Sequence, residues 1–134
     1  MKSDQGLLLL RLVSGGVFVA FGLGKFVSHA SELASFRTYG LPAPAVLVLV
    51  IGVVEVVGGV LLIAGIRTKL AAIVLAGDMV AAIIVSGIAK GEIVSLTLAP
   101  AELAAMVVVL SVGPGTYRVG RGSDQLRPRG TCAQ

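Results

Sequence analysis

The residues able to do chemistry in this chain are carboxylates in places where carboxylates are costly. Glu55 is the single charge between Ala45 and Ile66, an apolar run long enough to cross a bilayer. At helical spacing it is flanked by Gly52, Gly58 and Gly59, so it should lie in a groove where a second helix can approach closely. Asp78 and Glu102 interrupt two further apolar runs. At a rise of ~1.5 Å per residue, Glu55, Asp78 and Glu102 fall roughly 15, 12 and 16 Å from the same end of their spans, and so in one layer. Arg11 enters only about 6 Å, but its long side chain can reach inward. The spacing predicts that Arg11 pairs with Glu55, Glu102 or both. Such a cluster can share and exchange protons, or hold a polar head group such as a quinone carbonyl. A purely structural role is the competing reading, because a buried Arg–carboxylate pair can simply fix helix register. For Asp78, with Gly77, Ala81 and Ala82 around it, packing is favoured over function.

These residues must be positioned by helices. Spans are predicted at 7–26, 45–66, 70–89 and 94–113. Between the first two, an amphipathic stretch with Leu33, Phe36 and Tyr39 among Glu32 and Arg37 should form a short interfacial helix ended by Gly40 and Pro42, with Tyr39 at headgroup level. On the first span Arg11, Gly15, Phe18, Gly22, Lys25 and His29 share one stripe, which should face protein. Gly16, Ala20 and Gly24 form a neighbouring small-residue ridge suited to helix contact, as are Gly52, Gly58 and Gly59 on the second. Pro100 is expected in or near the first turn of the last span, where it need not kink the helix. The fold class is therefore all-α: a polytopic membrane protein with four transmembrane helices in an up-down-up-down bundle. Residues 1–117 form the transmembrane domain and 118–134 a basic, disordered tail. A signal peptide is argued against by Arg11 inside the would-be apolar core and by Lys25 before the Ser28-His29-Ala30 site.

Composition agrees with this reading. Of 134 residues, 56% are hydrophobic and 13% charged, and mean hydropathy is +0.99. That is too little charge to cover a soluble domain of this size. The pI near 9.7 reflects topology rather than nucleic acid, since there is no Trp and no aromatic interleaving. One face carries Lys2, Arg11, Arg67, Lys69, Arg118, Arg121, Arg127 and Arg129; the other carries Lys25, Arg37 and Lys90. The positive-inside rule then places both termini in the cytoplasm of a multi-pass plasma-membrane protein. One His and one Cys cannot assemble a metal, haem or iron–sulfur site within the chain, so His29 and Cys132 are bystanders. Gly24-Lys25-Phe26 lacks the rest of a P-loop, and no Ser-His-Asp set shares a depth. No catalytic residue is identified and no intrinsic cofactor is expected.

LLLLRLVSGGVFVAFGLGKF resembles the opening of the DoxX family, with Arg, Gly, Phe, Gly and Lys in order. GLPAPAVLVLVIGVVEVVGGVLLIAGIRTKLAAIVLA resembles its second helix, basic turn and third helix, and AELAAM followed by GPGTY its fourth-helix glutamate and closing Gly-Pro-Gly. Arg11, Lys25, Glu55 and Glu102 match the family pattern, whereas Asp78 does not belong to it. The resemblance implies a four-helix bacterial or archaeal membrane protein, in some members a small subunit of quinone-linked thiosulfate oxidation, in others tied to thiol and oxidative-stress handling beside a soluble redox enzyme. The expectation is thus an accessory or anchoring subunit, with Arg11, Glu55 and Glu102 as polar centre, a quinone as ligand, and Arg67, Lys69 and the tail facing a soluble partner or anionic lipid. A small proton- or solute-permeating protein, which four short helices would form only as a homo-oligomer, and a plain scaffold are the alternatives.

Overall fold

The computed structural model describes residues 2–113 and residue 115; the expectations for the basic tail and Cys132 fall outside these. The elements are α1 (Lys2–Val27), α2 (His29–Thr38), α3 (Pro44–Ala64), α4 (Thr68–Ala82) continued by a π-helical segment (Ile83–Ile88), and α5 (Ile93–Val112). The described residues form no strand. Four segments, Asp4–Val27, Pro44–Ala64, Thr68–Ile88 and Ile93–Val112, are long and apolar enough to span a membrane. Helices are what such sequences must form in hydrocarbon, because each backbone amide finds its partner within its own segment. Leu9, Val13, Ile88 and Ile93 are all more than half exposed, and they make a lipid-facing exterior.

Glycine sets the closest contact. An added Cβ at Gly15 would lie 2.7 Å from the Gly59 carbonyl oxygen, and one at Gly22 would lie 2.8 Å from that of Gly52. The backbones of α1 and α3 therefore touch, antiparallel, and seven residues up α1 correspond to seven back along α3. On the other side of α3, Gly58 lets the Leu75 side chain of α4 approach to 3.0 Å of an added Cβ. Gly52, Gly58 and Gly59 do what their spacing predicted. Gly16 and Gly24 do not: a Cβ there would meet nothing within 4 Å, and Gly16 and Ala20 are exposed. The physical reason is angular. The stripe through Gly15 and Gly22 already occupies the α1–α3 seam, and the next ridge round the helix points outward.

Two local features depart from the sequence expectation. The third span is not α-helical throughout. The Ser86 hydroxyl donates to the Ala82 carbonyl at 2.7 Å, competing with the backbone for that acceptor, and the helix widens to π geometry across Ile83–Ile88. Pro100 lies inside α5 rather than in its first turn, because the helix already starts at Ile93 with Glu92 as its N-cap. At the other end of the bundle, Gly65 (φ 74°) closes α3: its amide and that of Ile66 both donate to the Leu61 carbonyl.

Candidate functional site

The polar centre is built around Lys25 and Glu55, whose Nζ and Oε2 form a buried ion pair at 2.8 Å. Arg11, expected in that place, instead donates from Nε to the Leu62 carbonyl (2.8 Å) and from its terminal nitrogen to the Ile63 carbonyl (3.1 Å). The reason lies in side-chain direction. Gly15–Gly59 and Gly22–Gly52 set the register, which puts Glu55 level with Val19. Side chains on a helix lean toward its N-terminus, so on antiparallel helices Lys25 and Glu55 lean toward each other, while Arg11 leans away from Glu55 toward the end of α3. There the guanidinium meets carbonyls of the last turn of α3, where a cation is favoured, and it supplements the long 3.2 Å bond that the Leu62 carbonyl accepts from the Gly65 amide. Arg11→Met is therefore expected to lower bundle stability by about 1–3 kcal/mol in detergent unfolding while leaving ligand affinity in the cavity unchanged.

Asp78 joins the same centre. Since Gly58 faces Leu75, three residues along each helix bring Glu55 level with Asp78, and their carboxyl groups lie within hydrogen-bonding reach. The neighbours expected to pack around Asp78 divide: a Cβ at Gly77 would meet nothing within 4 Å and Ala81 is exposed, whereas Ala82 packs against the core. On α5, Glu102 is 6% exposed and reaches the buried Ser14 hydroxyl of α1. One oxygen each of Asp78 (Oδ2) and Glu102 (Oε2) is buried without a partner among the described residues.

Lys25, Glu55, Asp78 and Glu102 all line one cavity of about 380 Å³. Its remaining wall is mostly apolar, including Phe18, Phe21, Ile51, Met79 and Leu98. That volume and the mix of apolar lining with a few convergent polar groups suit a small-molecule site. Toward the chain termini the interior is filled: Arg11, Leu62, Leu75, Met106 and Val109 are each no more than 1% exposed. Toward the opposite face lie α2 and the α4–α5 connection, with Glu32, Phe36, Tyr39, Ser86, Glu92 and Ser95 at the cavity mouth.

This mouth was not anticipated from sequence. Tyr39, expected at headgroup level, lines the cavity together with Glu92, and its ring contacts the buried Phe36 at 6.1 Å between centroids. Ser95 donates to Glu92 Oε2 at 2.7 Å, and Ser86 and Ser95 hydroxyls meet at 2.5 Å. Burial works to raise the Glu92 carboxyl, but hydrogen bonds from Ser95, Ser86 and Tyr39 outweigh it and hold Glu92 below the ordinary carboxylate range. Burial, followed by the Glu92 charge, raises the Tyr39 phenol. The available sequence signal was a Glu at the N-cap followed by a Ser three residues on, opposite a second Ser, and it reads as an ordinary turn. No group of His, Cys, Asp and Glu able to hold a metal occurs among the described residues.

The family model for DoxX matches residues 6–88, more than half of the chain and the stretch that carries Arg11, Lys25, Glu55 and Asp78. The chain belongs to the DoxX family. It is a membrane protein with its helices in a lipid bilayer. Among curated relatives, it is 35% identical over 81 residues to CatD of Bacillus subtilis, whose name assigns it provisionally to the oxidoreductases, covering 60% of this chain and 59% of that protein. It is 34% identical over 87 residues to an uncharacterized membrane protein of Mycobacterium tuberculosis, covering 63% of this chain and 53% of the relative. The chain thus matches somewhat over half the length of each. No solved structure matches this DoxX-family chain.

Proposed function

We propose that this DoxX-family protein is an accessory, membrane-anchoring subunit of a redox system, in which the cavity receives the head group of a quinone and a soluble enzyme exchanges electrons with it. The observation that carries this reading is the cavity wall: a buried Lys25–Glu55 pair flanked by unpartnered oxygens of Asp78 and Glu102, set in an apolar chamber of about 380 Å³. A quinone supplies two-electron, two-proton chemistry. The ammonium of Lys25 would donate a hydrogen bond to a ring carbonyl, and the carboxyls of Asp78 and Glu102 would take up or deliver protons at the ring oxygens. With one cation among several carboxyls, the layer is overcharged unless protons are held between them, which suits proton exchange. The relative named as an oxidoreductase supports the redox assignment. In this reading the basic face, with Arg67, Lys69 and the tail, is cytoplasmic in the plasma membrane and meets the soluble partner or anionic lipid.

Permeation of protons or solutes would need a path through both halves of the bundle, and the half toward the termini is filled by buried side chains. The test is purification in mild detergent followed by mass spectrometry and a visible spectrum. A bound quinone or a co-purifying flavoprotein is expected. Neither, together with proton flux in liposomes, would overturn the subunit reading in favour of transport.

A further inference from the structure

We infer that the polar layer communicates with water through one face only, that of α2, and that Glu92 with Ser86, Ser95 and Tyr39 forms the gated passage. Three observations carry this. First, the two groups of polar residues open into one cavity: Asp78, Glu55 and Lys25 of the inner layer, and Ser86, Ser95, Glu92, Tyr39 and Glu32 toward α2. Second, the hydroxyls are arranged to relay protons. Two protons serve three contacts: Ser86 with Ala82, Ser86 with Ser95, and Ser95 with Glu92. Ser86 can turn from the Ala82 carbonyl to Ser95, and when it does a directed chain Ser86–Ser95–Glu92 is complete. The π-helical segment is what supplies this, because it brings Ser86 of the third span against Ser95 of the fourth. Third, the opposite direction is closed by Arg11, Leu62, Leu75, Met106 and Val109.

The gate is α2 itself. It is a ten-residue helix ending just before Gly40 (φ 73°), where the surroundings are open, and it lies over the cavity through buried Phe36 and through Tyr39, which lines the cavity beside Glu92. Removing the Tyr39 hydroxyl from beside Glu92 should let α2 swing outward without disturbing the transmembrane packing. Glu92 and Tyr39 are positioning residues here; the ligand-contacting groups are those of the inner layer. The inference extends the quinone reading but does not depend on it, since access can be measured with no quinone present.

The experiment uses single-cysteine proteins in the Cys132→Ser background, reconstituted with known orientation. Asp78→Cys and Ala82→Cys place a thiol in the cavity wall, the second without removing a charged group; Met106→Cys places one in the closed half. A membrane-impermeant, positively charged methanethiosulfonate is added to either side. Modification at residues 78 and 82 should be about tenfold faster or more from the α2 face than from the face carrying the termini, with residue 106 unreactive from both. Adding Tyr39→Phe should speed modification from the α2 face severalfold and leave the other face unchanged. Equal rates from both faces, faster reaction from the terminal face, or no reaction from either at residues 78 and 82 would overturn one-sided access. An unchanged rate with Tyr39→Phe would remove the latch. None of these results bears on whether a quinone binds.

Discussion

Lys25→Met should destabilise the bundle by about 3–5 kcal/mol, because it leaves the Glu55 carboxylate buried without its cation. Glu55 is 4% exposed and its Oε2 is held by Lys25 at 2.8 Å, so a water entering the cavity could replace the hydrogen bond but not the charge of the ammonium. Asp78, the nearest alternative partner, carries the same sign and makes matters worse. The double variant Lys25→Met/Glu55→Gln should recover most of the loss, since it removes both charges from the same layer. Unfolding in mixed detergent micelles, followed by circular dichroism, measures all three proteins. A single variant as stable as the parent, or a double variant as unstable as the single, would show that the pair does not hold the layer together.

The second large effect is expected at Gly59. A Cβ there would lie 2.6 Å from the Gly15 carbonyl oxygen and 2.8 Å from Val19 Cγ2, and the first of these is backbone that cannot rotate away. Gly59→Val must therefore push α1 and α3 apart, and should cost about 1–3 kcal/mol or more. Separating these helices also shifts Lys25 relative to Glu55, so ligand affinity should fall with stability. Gly16→Ala, one ridge away and in open surroundings, should stay within about ±0.5 kcal/mol of the parent. If both variants behaved alike in the same unfolding measurement, the α1–α3 contact would not run through Gly15 and Gly59.

Much of this could be read from the residues. Apolar runs of bilayer length specify four spanning helices because hydrocarbon allows the backbone few other solutions. Glu55 with Gly52 and Gly59 located the α1–α3 seam and the polar layer, Gly58 marked the contact with α4, and Arg11 and Lys25 on the stripe of α1 do face protein. What could not be read is how side chains reach. Arg11 and Lys25 lie on the same stripe, and only the antiparallel register together with the lean of side chains toward each N-terminus decides that Lys25 meets Glu55 while Arg11 caps α3. Periodicity likewise identifies small-residue ridges but not which ridge enters the seam, so Gly16 and Gly24 were expected to pack and do not. Ser86 shows another limit: whether a hydroxyl takes a backbone carbonyl and widens the helix depends on what stands opposite, here Ser95. Glu92 and Tyr39 are separated by the whole of α3, α4 and the π-helical segment, and no local pattern joins them.

The central claim is that the Lys25 layer holds a quinone head group. It is tested most directly by the infrared difference spectrum of a short-tailed quinone, isotopically labelled at its carbonyls, bound to the purified protein in lipid nanodiscs. A carbonyl band shifted to lower frequency is predicted, with the shift lost in the Lys25→Met/Glu55→Gln protein, which should still fold. A quinone that does not bind, or one that binds with the same carbonyl frequency in both proteins, would contradict it.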